Sequence, residues 1–287
     1  ELEKALDELK HPKKKGSGSG GNKHLWRVDP GTTEATAIIK IVPYIKNPKL
    51  PFVTRYFHYK LPGLGTMLCP SKFENSECVV CNFGWQTYNR FKETNKELYK
   101  KALDVLLPKE RIFLPVVQID PDERAAGIRY WGFSNRIYDE LLKYTFKMKK
   151  SANVDITDVH ESPEFEITVV SAEQSNTLYS STTWEEVRDG IQTKLSPIAD
   201  SKEEINKILS TAVDFNEVYK LTAPDDIQVA LDKYVDANSN ITEEHAKNDD
   251  LGSEKFSPES SESDSDENNT AEKVAKEFEK LLNKDKE

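Results

Sequence analysis

The amino-acid sequence predicts an α+β fold. Short runs rich in β-branched and aromatic residues are typical of strands, and amphipathic runs at helical spacing lie between them. The two kinds of run do not alternate with the regular spacing of βαβ units, which argues against a doubly wound sheet. The pattern is compatible with a core that forms a small OB-type β-barrel with flanking helices.

Strands are predicted from alternation and from the residues that end it. The β-branched run 37–42 ends at Pro43, and the Asp and Pro residues of 120–123 indicate a turn between two further runs. The predicted strands are 37–42, 51–59, 112–119, 128–133 and 165–170.

Helices are predicted where apolar residues recur every three or four positions. Ile137, Leu141 and Leu142 form such a stripe. The predicted helices of the folded part are about 85–107, 137–146, 183–193, 201–211 and 225–235.

The N-terminal end of the chain differs in composition from the part that follows. Residues 2–10 predict a short amphipathic helix, and the lysines at 13–15 with the Gly/Ser run 16–21 predict a basic, flexible arm. We therefore expect an N-terminal arm over 1–21 and a folded core over 22–239.

Residues 240–287 are predicted to form an acidic tail. Its Ser-, Asp- and Glu-rich run 257–267 has too few apolar residues to offset the entropy of ordering, so we expect disorder. An amphipathic helix is predicted near the end, with an apolar face of Val274, Phe278, Leu281 and Leu282. That face either frays in solvent or docks into a groove of a partner protein.

The net charge of −10 conceals a strong segregation of charge. Residues 35–150 contain 20 Lys and Arg against 11 Asp and Glu, whereas 151–239 contain 6 against 18. The basic stretch also holds 18 of the 27 aromatic residues. Cations interleaved with flat rings are what a protein needs to bind single-stranded nucleic acid. About half of these rings are expected in the core instead, for example Phe57, Phe83 and Trp131.

The sequence also indicates a compartment. No apolar run approaches the roughly 20 residues that a membrane helix needs, and no signal peptide is recognisable. The three cysteines all lie between positions 69 and 81, which is a poor framework for disulfides but a natural set of thiolate ligands. We therefore expect a cytoplasmic protein that does not bind membranes.

Four residues have the spacing of a closed metal site: His58, Cys69, Cys78 and Cys81. The Cys-x-x-Cys pair lets two thiolates reach one tetrahedral ion, and the other two residues complete the set. Because no coordination position stays open, the pattern predicts one structural zinc ion. Two alternatives are that the cysteines are simply small buried residues, and that Cys78 and Cys81 form a disulfide.

Several motifs around these ligands match a known family. They are the His, Cys, Cys-x-x-Cys order, the sequence IKIVP at 39–43, VVQIDP at 116–121, RYWG at 129–132 and IYD at 137–139. In these features the chain resembles the helix-destabilising single-stranded DNA-binding protein of T-even-type bacteriophages. The resemblance covers about 22–239, and the acidic tail that ends in leucines is similar as well.

The resemblance implies an OB-fold core with an inserted zinc subdomain, here at about 56–107. It also implies cooperative coating of single strands during replication, recombination and repair in the bacterial host cytoplasm, with an acidic tail that recruits replication and recombination proteins. Family members begin with a short basic motif that mediates cooperativity, whereas this chain opens with Glu1, Leu2 and Glu3. Either such a motif precedes this sequence or the lysines at 13–15 take its place.

The DNA groove is expected to combine cations that contact phosphates with tyrosines that stack on bases. The alternative for each of these cations is that it is an ordinary solvated surface charge that contacts no phosphate. The predicted DNA-binding residues are Arg55, Tyr56, Tyr59, Lys60, Tyr88, Arg90, Lys92, Tyr99, Lys100, Lys101, Arg129, Tyr130, Arg136 and Tyr138.

Two other classes of function fit parts of the sequence. A zinc-stabilised interaction module would use the basic stretch to bind acidic proteins. A zinc hydrolase would need an open coordination position, which the closed ligand set does not provide. We find no phosphate loop or pair of catalytic carboxylates, and we expect no enzymatic activity.

Overall fold

A computed structural model describes residues 22–177 and 179–238. The strands are β1 (Leu25–Trp26), β2 (Glu34–Ile41), β3 (Val53–Leu61), β4 (Gly65–Leu68), β5 (Lys109–Gln118), β6 (Arg129–Phe133), β7 (Ser162–Pro163), β8 (Phe165–Val170), β9 (Ser181–Glu186), β10 (Arg188–Asp189), β11 (Gln192–Thr193) and β12 (Leu195–Ser196). The helices are α1 (Pro70–Phe73), α2 (Val79–Phe91), α3 (Lys96–Lys101), α4 (Pro121–Arg124), α5 (Asn135–Ala152), α6 (Lys202–Leu209), α7 (Phe215–Val218) and α8 (Pro224–Asp236), with a π-helical turn at Ala102–Leu106. This arrangement confirms the predicted α+β class.

Strand β5 organises the main sheet, which has eight strands in mixed orientation. One edge of β5 pairs with β6, and β6 pairs in parallel with β1. The other edge is shared, because β3 pairs with residues 109–113 and β2 pairs with residues 116–118. From there β4 extends β3, while β8 and β9 extend β2.

The sheet therefore branches at β5. Among the described strands the pairing runs from β1 to β9 with β3 and β4 as a side branch, and no pair closes it into a barrel. The predicted OB-type barrel is not seen in closed form among these strands, because β2 and β3 diverge along one edge of β5. Because of this branch, β3 lies next to the cysteines.

Most predicted elements are confirmed, with one clear error. Residues 183–193 were expected to be helical but form β9 and the β10–β11 hairpin. Side chains alternate between half-buried and exposed along Ser181–Glu186, which pairs residue by residue with Phe165–Val170. Gly190 has a φ of 64°, which suits the hairpin turn and is unfavourable inside a helix.

The single helix predicted over about 85–107 is divided in the structure. Helix α2 begins earlier, directly after Cys78, and the chain then continues through α3 and the π-helical turn. Gly84 lies where α2 meets this turn, and a Cβ at that position would lie 2.9 Å from the Cβ of Leu106. The close contact between Gly84 and Leu106 lets α2 and the π-helical turn pack together beside the apolar cluster that surrounds the cysteines.

The largest apolar cluster lies between α5 and the sheet. Ile39, Leu114, Trp131 and Leu141 are among its buried members. A second cluster surrounds the cysteines, and a third packs α7 against the opposite face of β3 and β5. None of the helices in the described ranges has both the length and the hydropathy that a bilayer crossing requires.

Lys40 is a fully buried cation on β2. Its Nζ donates to the carbonyl oxygen of Ser162 at 2.6 Å and to that of Ser196, so it links β2 to the β7–β12 pair. Burial lowers the pKa of Lys40 to about 8, and the nearby Glu164 carboxylate offsets this effect only in part. Burial of the positive charge of Lys40 therefore disfavours folding, whereas the hydrogen bonds that Nζ donates favour it.

Stability should consequently rise with pH in the alkaline range. Between about pH 8 and pH 10.5 the unfolded chain retains the Lys40 proton while the folded protein releases it, so folding is favoured as pH increases. From about pH 7.5 to about pH 9.5, the wild-type free energy of unfolding should rise by about 2 kcal/mol relative to that of Lys40→Met. Urea unfolding measures the difference. Lys220→Met, at an exposed position, is the control, and parallel pH profiles for wild type and Lys40→Met would contradict the prediction.

Candidate functional site

The four predicted metal ligands meet at one point. His58 lies on β3, Cys69 follows β4 directly, Cys78 precedes α2 and Cys81 lies in the first turn of α2. All four residues are buried, and their candidate ligand atoms lie within 4.8 Å of one another. The spacing in the sequence therefore identified a true spatial cluster.

The distances suit tetrahedral coordination. The Sγ atoms of Cys69 and Cys81 are 3.4 Å apart, and the Sγ atoms of Cys78 and Cys81 each lie 3.5 Å from Nε2 of His58. Ideal zinc bonds to sulfur and nitrogen imply about 3.8 Å between two thiolates and about 3.6 Å between thiolate and imidazole. The cluster can hold one metal ion such as zinc. All three cysteines are free thiols, so the alternative of a Cys78–Cys81 disulfide is not realised.

Local structure explains why these residues converge. Strands β3 and β4 form a hairpin that pairs His58 with Met67, and a bulge at Lys60, whose φ is 63°, adjusts the register before the turn. The backbone N–H of Cys69 then donates to the carbonyl of Tyr56 at 2.9 Å. Cys78 is extended, which directs the chain into α2 and places Cys81 one turn later.

Apolar residues enclose the cluster on all of the elements that carry it. Leu61, Met67, Val80 and Leu106 pack around the cysteines, and α8 covers them with side chains that include Leu231. Because the protein supplies four ligands inside an apolar enclosure, the arrangement suits a metal that holds structure together.

Mutual hydrogen bonding distorts the proton affinities of these groups. Burial alone would lower the pKa of His58, but hydrogen bonds with Cys69 and Cys78 raise it to about 9. Hydrogen bonds from Cys78 and Cys81 lower the pKa of the Cys69 thiol, and the bond to Cys69 raises that of Cys81. Protons are therefore shared within the cluster, and a bound metal ion must displace them. Nδ1 of His58 is buried and has no hydrogen-bond partner in the described part of the chain.

The predicted DNA-binding residues do not form one surface. Alternation along β3 places Arg55 and Tyr59 on the side of α7, whereas Tyr56 lies on the side of the metal cluster. Arg55 donates to Asn216 Oδ1 at 2.7 Å and lies against the Phe73 and Phe215 rings. The hydroxyl of Tyr56 donates to Glu110 Oε1 at 3.1 Å.

Tyr130 is placed differently from the expectation. It is 1% exposed, its hydroxyl donates to the carbonyl of Val213 at 2.7 Å, and its ring packs against Tyr44 and Phe215. No face of Tyr130 is accessible to a base, so we remove it from the candidate set. The ring serves the core because α7 covers this face of β6.

The remaining candidates near β6 and α5 also have protein partners. Arg129 pairs with Glu123 at 3.0 Å, and Tyr138 packs edge-on against Phe52 with ring centroids 5.0 Å apart. Arg136 pairs with Glu140 at 3.3 Å but is still 80% exposed. Of these three, Arg136 is the most accessible to a ligand.

The predicted tyrosines of the metal subdomain, Tyr88 and Tyr99, are half-buried and lie next to an exposed tryptophan. Tyr88 and Tyr99 have ring centroids 5.2 Å apart, and Trp85 lies 5.4 Å from Tyr88 in an edge-on arrangement. Trp85 is 45% exposed although it is one of the largest apolar side chains. We name Trp85, Tyr88 and Tyr99 the aromatic platform. Trp85 was missed in the sequence, where its position one helical turn before Tyr88 was the available signal.

Cations flank the aromatic platform. Lys92 and Lys100 are exposed, and the Arg90 guanidinium lies 5.5 Å from the centroid of the Phe91 ring. On β3, exposed Lys60 has its Nζ 3.5 Å from the Tyr179 hydroxyl. The side chain of Lys101, the N-terminal arm and the predicted partner-binding residues Val274, Phe278, Leu281 and Leu282 lie outside the described residues.

Comparison with known proteins does not assign a family. No family model matches the sequence, and no curated protein is significantly similar to it. The resemblance to the phage proteins therefore rests on the motif residues themselves, of which the metal ligands are the most specific.

Loss of one metal ligand should release the ion and destabilise the fold. Wild-type protein is expected to contain one equivalent of zinc, and Cys78→Ser should lose most of it. Its melting temperature should fall by about 10 °C, which corresponds to about 4 kcal/mol of lost binding free energy. Metal analysis and thermal melts with and without chelator measure both effects. Ser76→Ala, an exposed neighbour, should behave like wild type; equal zinc content in the two variants would contradict the assignment.

Proposed function

We propose that this protein binds single-stranded DNA without sequence preference, and protects and organises the strands during viral DNA replication, recombination and repair. The observation that carries the proposal is the aromatic platform, with Trp85 exposed and Tyr88 and Tyr99 half-buried, beside Lys92 and Lys100 within the one strongly basic stretch of an acidic chain. We propose no enzymatic role.

Base stacking supports a function without sequence preference. An aromatic side chain gains about 1 to 3 kcal/mol from stacking on a base, and every base offers a face. Trp85 is 45% exposed, so a base can reach it without displacing core residues. Neighbouring lysines would neutralise the phosphates that connect successive bases. The two kinds of contact together favour a flexible single strand over a duplex, whose bases are already stacked.

One structural zinc ion is part of the proposal. His58, Cys69, Cys78 and Cys81 would hold it, and it would supply structural cross-linking without reacting. Because α2 begins at the ligands Cys78 and Cys81 and carries Trp85 and Tyr88, these ligands fix the orientation of the platform. The OB-type character of the core is likewise proposed, on the basis of the family resemblance.

The acidic tail is proposed to recruit replication and recombination proteins through its terminal apolar residues. Residues 240–287 contain 15 acidic and 7 basic side chains, so the tail is also expected to compete with DNA for the cationic surface. Cooperative binding of neighbouring copies along a strand is proposed to involve the N-terminal arm, with its lysines at 13–15.

The aromatic platform can be tested by substitution. Trp85→Leu should weaken binding to poly(dT) by about tenfold or more, because one stacking contact is lost. Titrations followed by the fluorescence anisotropy of labelled poly(dT), repeated at several salt concentrations, measure the affinity without depending on Trp85. Val229→Ala removes another exposed apolar side chain, on α8, and should leave the affinity unchanged. Equal affinities for wild type and Trp85→Leu would remove the platform from the binding surface.

Removal of the tail should strengthen DNA binding at low salt. A chain that ends at residue 239 is expected to bind poly(dT) several-fold more tightly at low ionic strength, and the advantage should vanish at high salt because the competition is electrostatic. A full-length variant with Glu262, Asp264, Asp266 and Glu267 changed to their amides tests charge without shortening the chain. Unchanged affinity of both variants at low salt would exclude the competition.

A further inference from the structure

Three arginines lie on one face of the branched sheet. Arg55 on β3 and Arg111 on β5 are directly opposite in the strand register, and both belong to the face that α7 partly covers. Arg27 follows β1 on the same side, since Leu25 two positions earlier packs into the same cluster. Like charges placed directly opposite in a sheet are unfavourable, so this face concentrates positive charge against the usual preference.

Arg27 and Arg111 come together at Gly132. The register of β1 and β6 pairs Trp26 with Trp131, which brings Arg27 alongside Gly132. The Nη2 atom of Arg111 donates to the carbonyl oxygen of Gly132 at 3.1 Å. A side chain at position 132 would collide with the Phe113 ring, because a Cβ there would lie 2.7 Å from a ring carbon.

Two half-buried tyrosines stand beside these arginines. Tyr219 packs on the Phe57, Phe113 and Phe215 rings, and Tyr59 packs on Phe57. Burial raises the pKa of both tyrosines, while the charges of Arg27 and Arg111 act against that rise, so both guanidinium groups lie within electrostatic reach of both hydroxyls. Arg27 also forms a hydrogen bond with the Tyr219 hydroxyl, so the two guanidinium groups and the two hydroxyls lie near one another beside the rings of this face.

These two arginines also lack a negative partner. Arg124, Arg129, Arg136 and Arg188 each form an ion pair with a glutamate. Burial lowers the pKa of Arg55, and the nearby Tyr44 and the Asp214 carboxylate act against that fall. Within residues 22–177 and 179–238, no carboxylate forms an ion pair with Arg27 or Arg111.

We infer that Arg27 and Arg111, with the hydroxyls of Tyr59 and Tyr219, bind one phosphate of the single strand. This inference rests on the proposed DNA-binding function and gives the strand a second point of attachment, on the sheet as well as on the aromatic platform. Two guanidinium groups can each direct paired N–H donors at one phosphodiester, and tyrosine hydroxyls add neutral donors. The anion offsets positive charge that the protein itself leaves uncompensated.

The test compares the full-length variant Arg27→Gln/Arg111→Gln with Arg188→Gln/Lys202→Gln, which removes as much charge from another surface. Binding to poly(dT) is measured across salt concentrations from about 0.05 to about 0.5 M. Loss of one phosphate contact should lower the salt slope by about 0.7, so that affinity near 0.1 M salt falls about fivefold and converges with wild type near 1 M. The control should keep the wild-type slope.

Two further variants guard against a folding defect. Arg27→Gln alone changes an exposed side chain and should lower the slope by less than the double glutamine variant does, because Arg111 still contacts the phosphate. Arg27→Lys/Arg111→Lys retains both charges and should keep the wild-type slope. Zinc content and thermal melts establish that each variant is folded.

The outcomes separate this inference from the proposed function. If wild type binds poly(dT) and the double glutamine variant keeps its salt slope, the phosphate site is wrong and the DNA-binding proposal stands. If wild type shows no salt-dependent binding to poly(dT), both fail. If the double glutamine variant loses affinity for poly(glutamate) but not for poly(dT), the site binds an acidic protein chain and the inference is overturned.

Discussion

Convergence of one imidazole and three thiols on a single point is the constraint on which the rest of the molecule depends. The four groups come from β3, from the residue after β4 and from the start of α2, so the cluster fixes three elements relative to one another. The apolar residues around it include side chains from α8, such as Leu231. The binding free energy of a metal ion held here would add to the stability of the fold. Trp85 and Tyr88 project from α2, so these two members of the aromatic platform take their position from this point.

Strand β3 connects the cluster to the second surface. His58 faces the cysteines, while Phe57 and Tyr59 on either side of it face the cluster beneath α7. The two faces of one strand thus serve two sites, which follows from the period of two in strand geometry. A displacement of β3 by one residue would move His58 away from the cysteines and Phe57 out of its core. The register of β3 against β5 is therefore determined by two separate requirements. His58 must reach the cysteines, and the Phe57 and Tyr59 rings must pack beneath α7.

How much the sequence could reveal depended on whether a pattern was local. The metal ligands were found from spacing, and strands such as β2 and β8 were found from alternation, because both signals are contained in a short run of residues. Residues 183–193 were misassigned because Glu, Arg and Trp at near-helical spacing also suit a strand that pairs with β8. Tyr130 was misjudged because a ring adjacent to arginine looks the same in sequence whether a helix covers it or not. Only tertiary structure brings α7 over it.

Within the described part of the chain, some arginines form ion pairs with glutamates, whereas Arg27 and Arg111 do not. The sequence alone cannot distinguish these two kinds of arginine. Charge counts located the basic stretch, yet several of its arginines form ion pairs with glutamates within the fold, for example Arg129 with Glu123. Arg27 and Arg111 are distant in sequence and meet only because β1 joins β6 in parallel and β6 joins β5. An acidic chain of net charge −10 has ample carboxylates to pair them, and the described fold brings none into contact with them. Uncompensated charge of this kind costs stability in the free protein, and that cost is offset only when an anion arrives from outside.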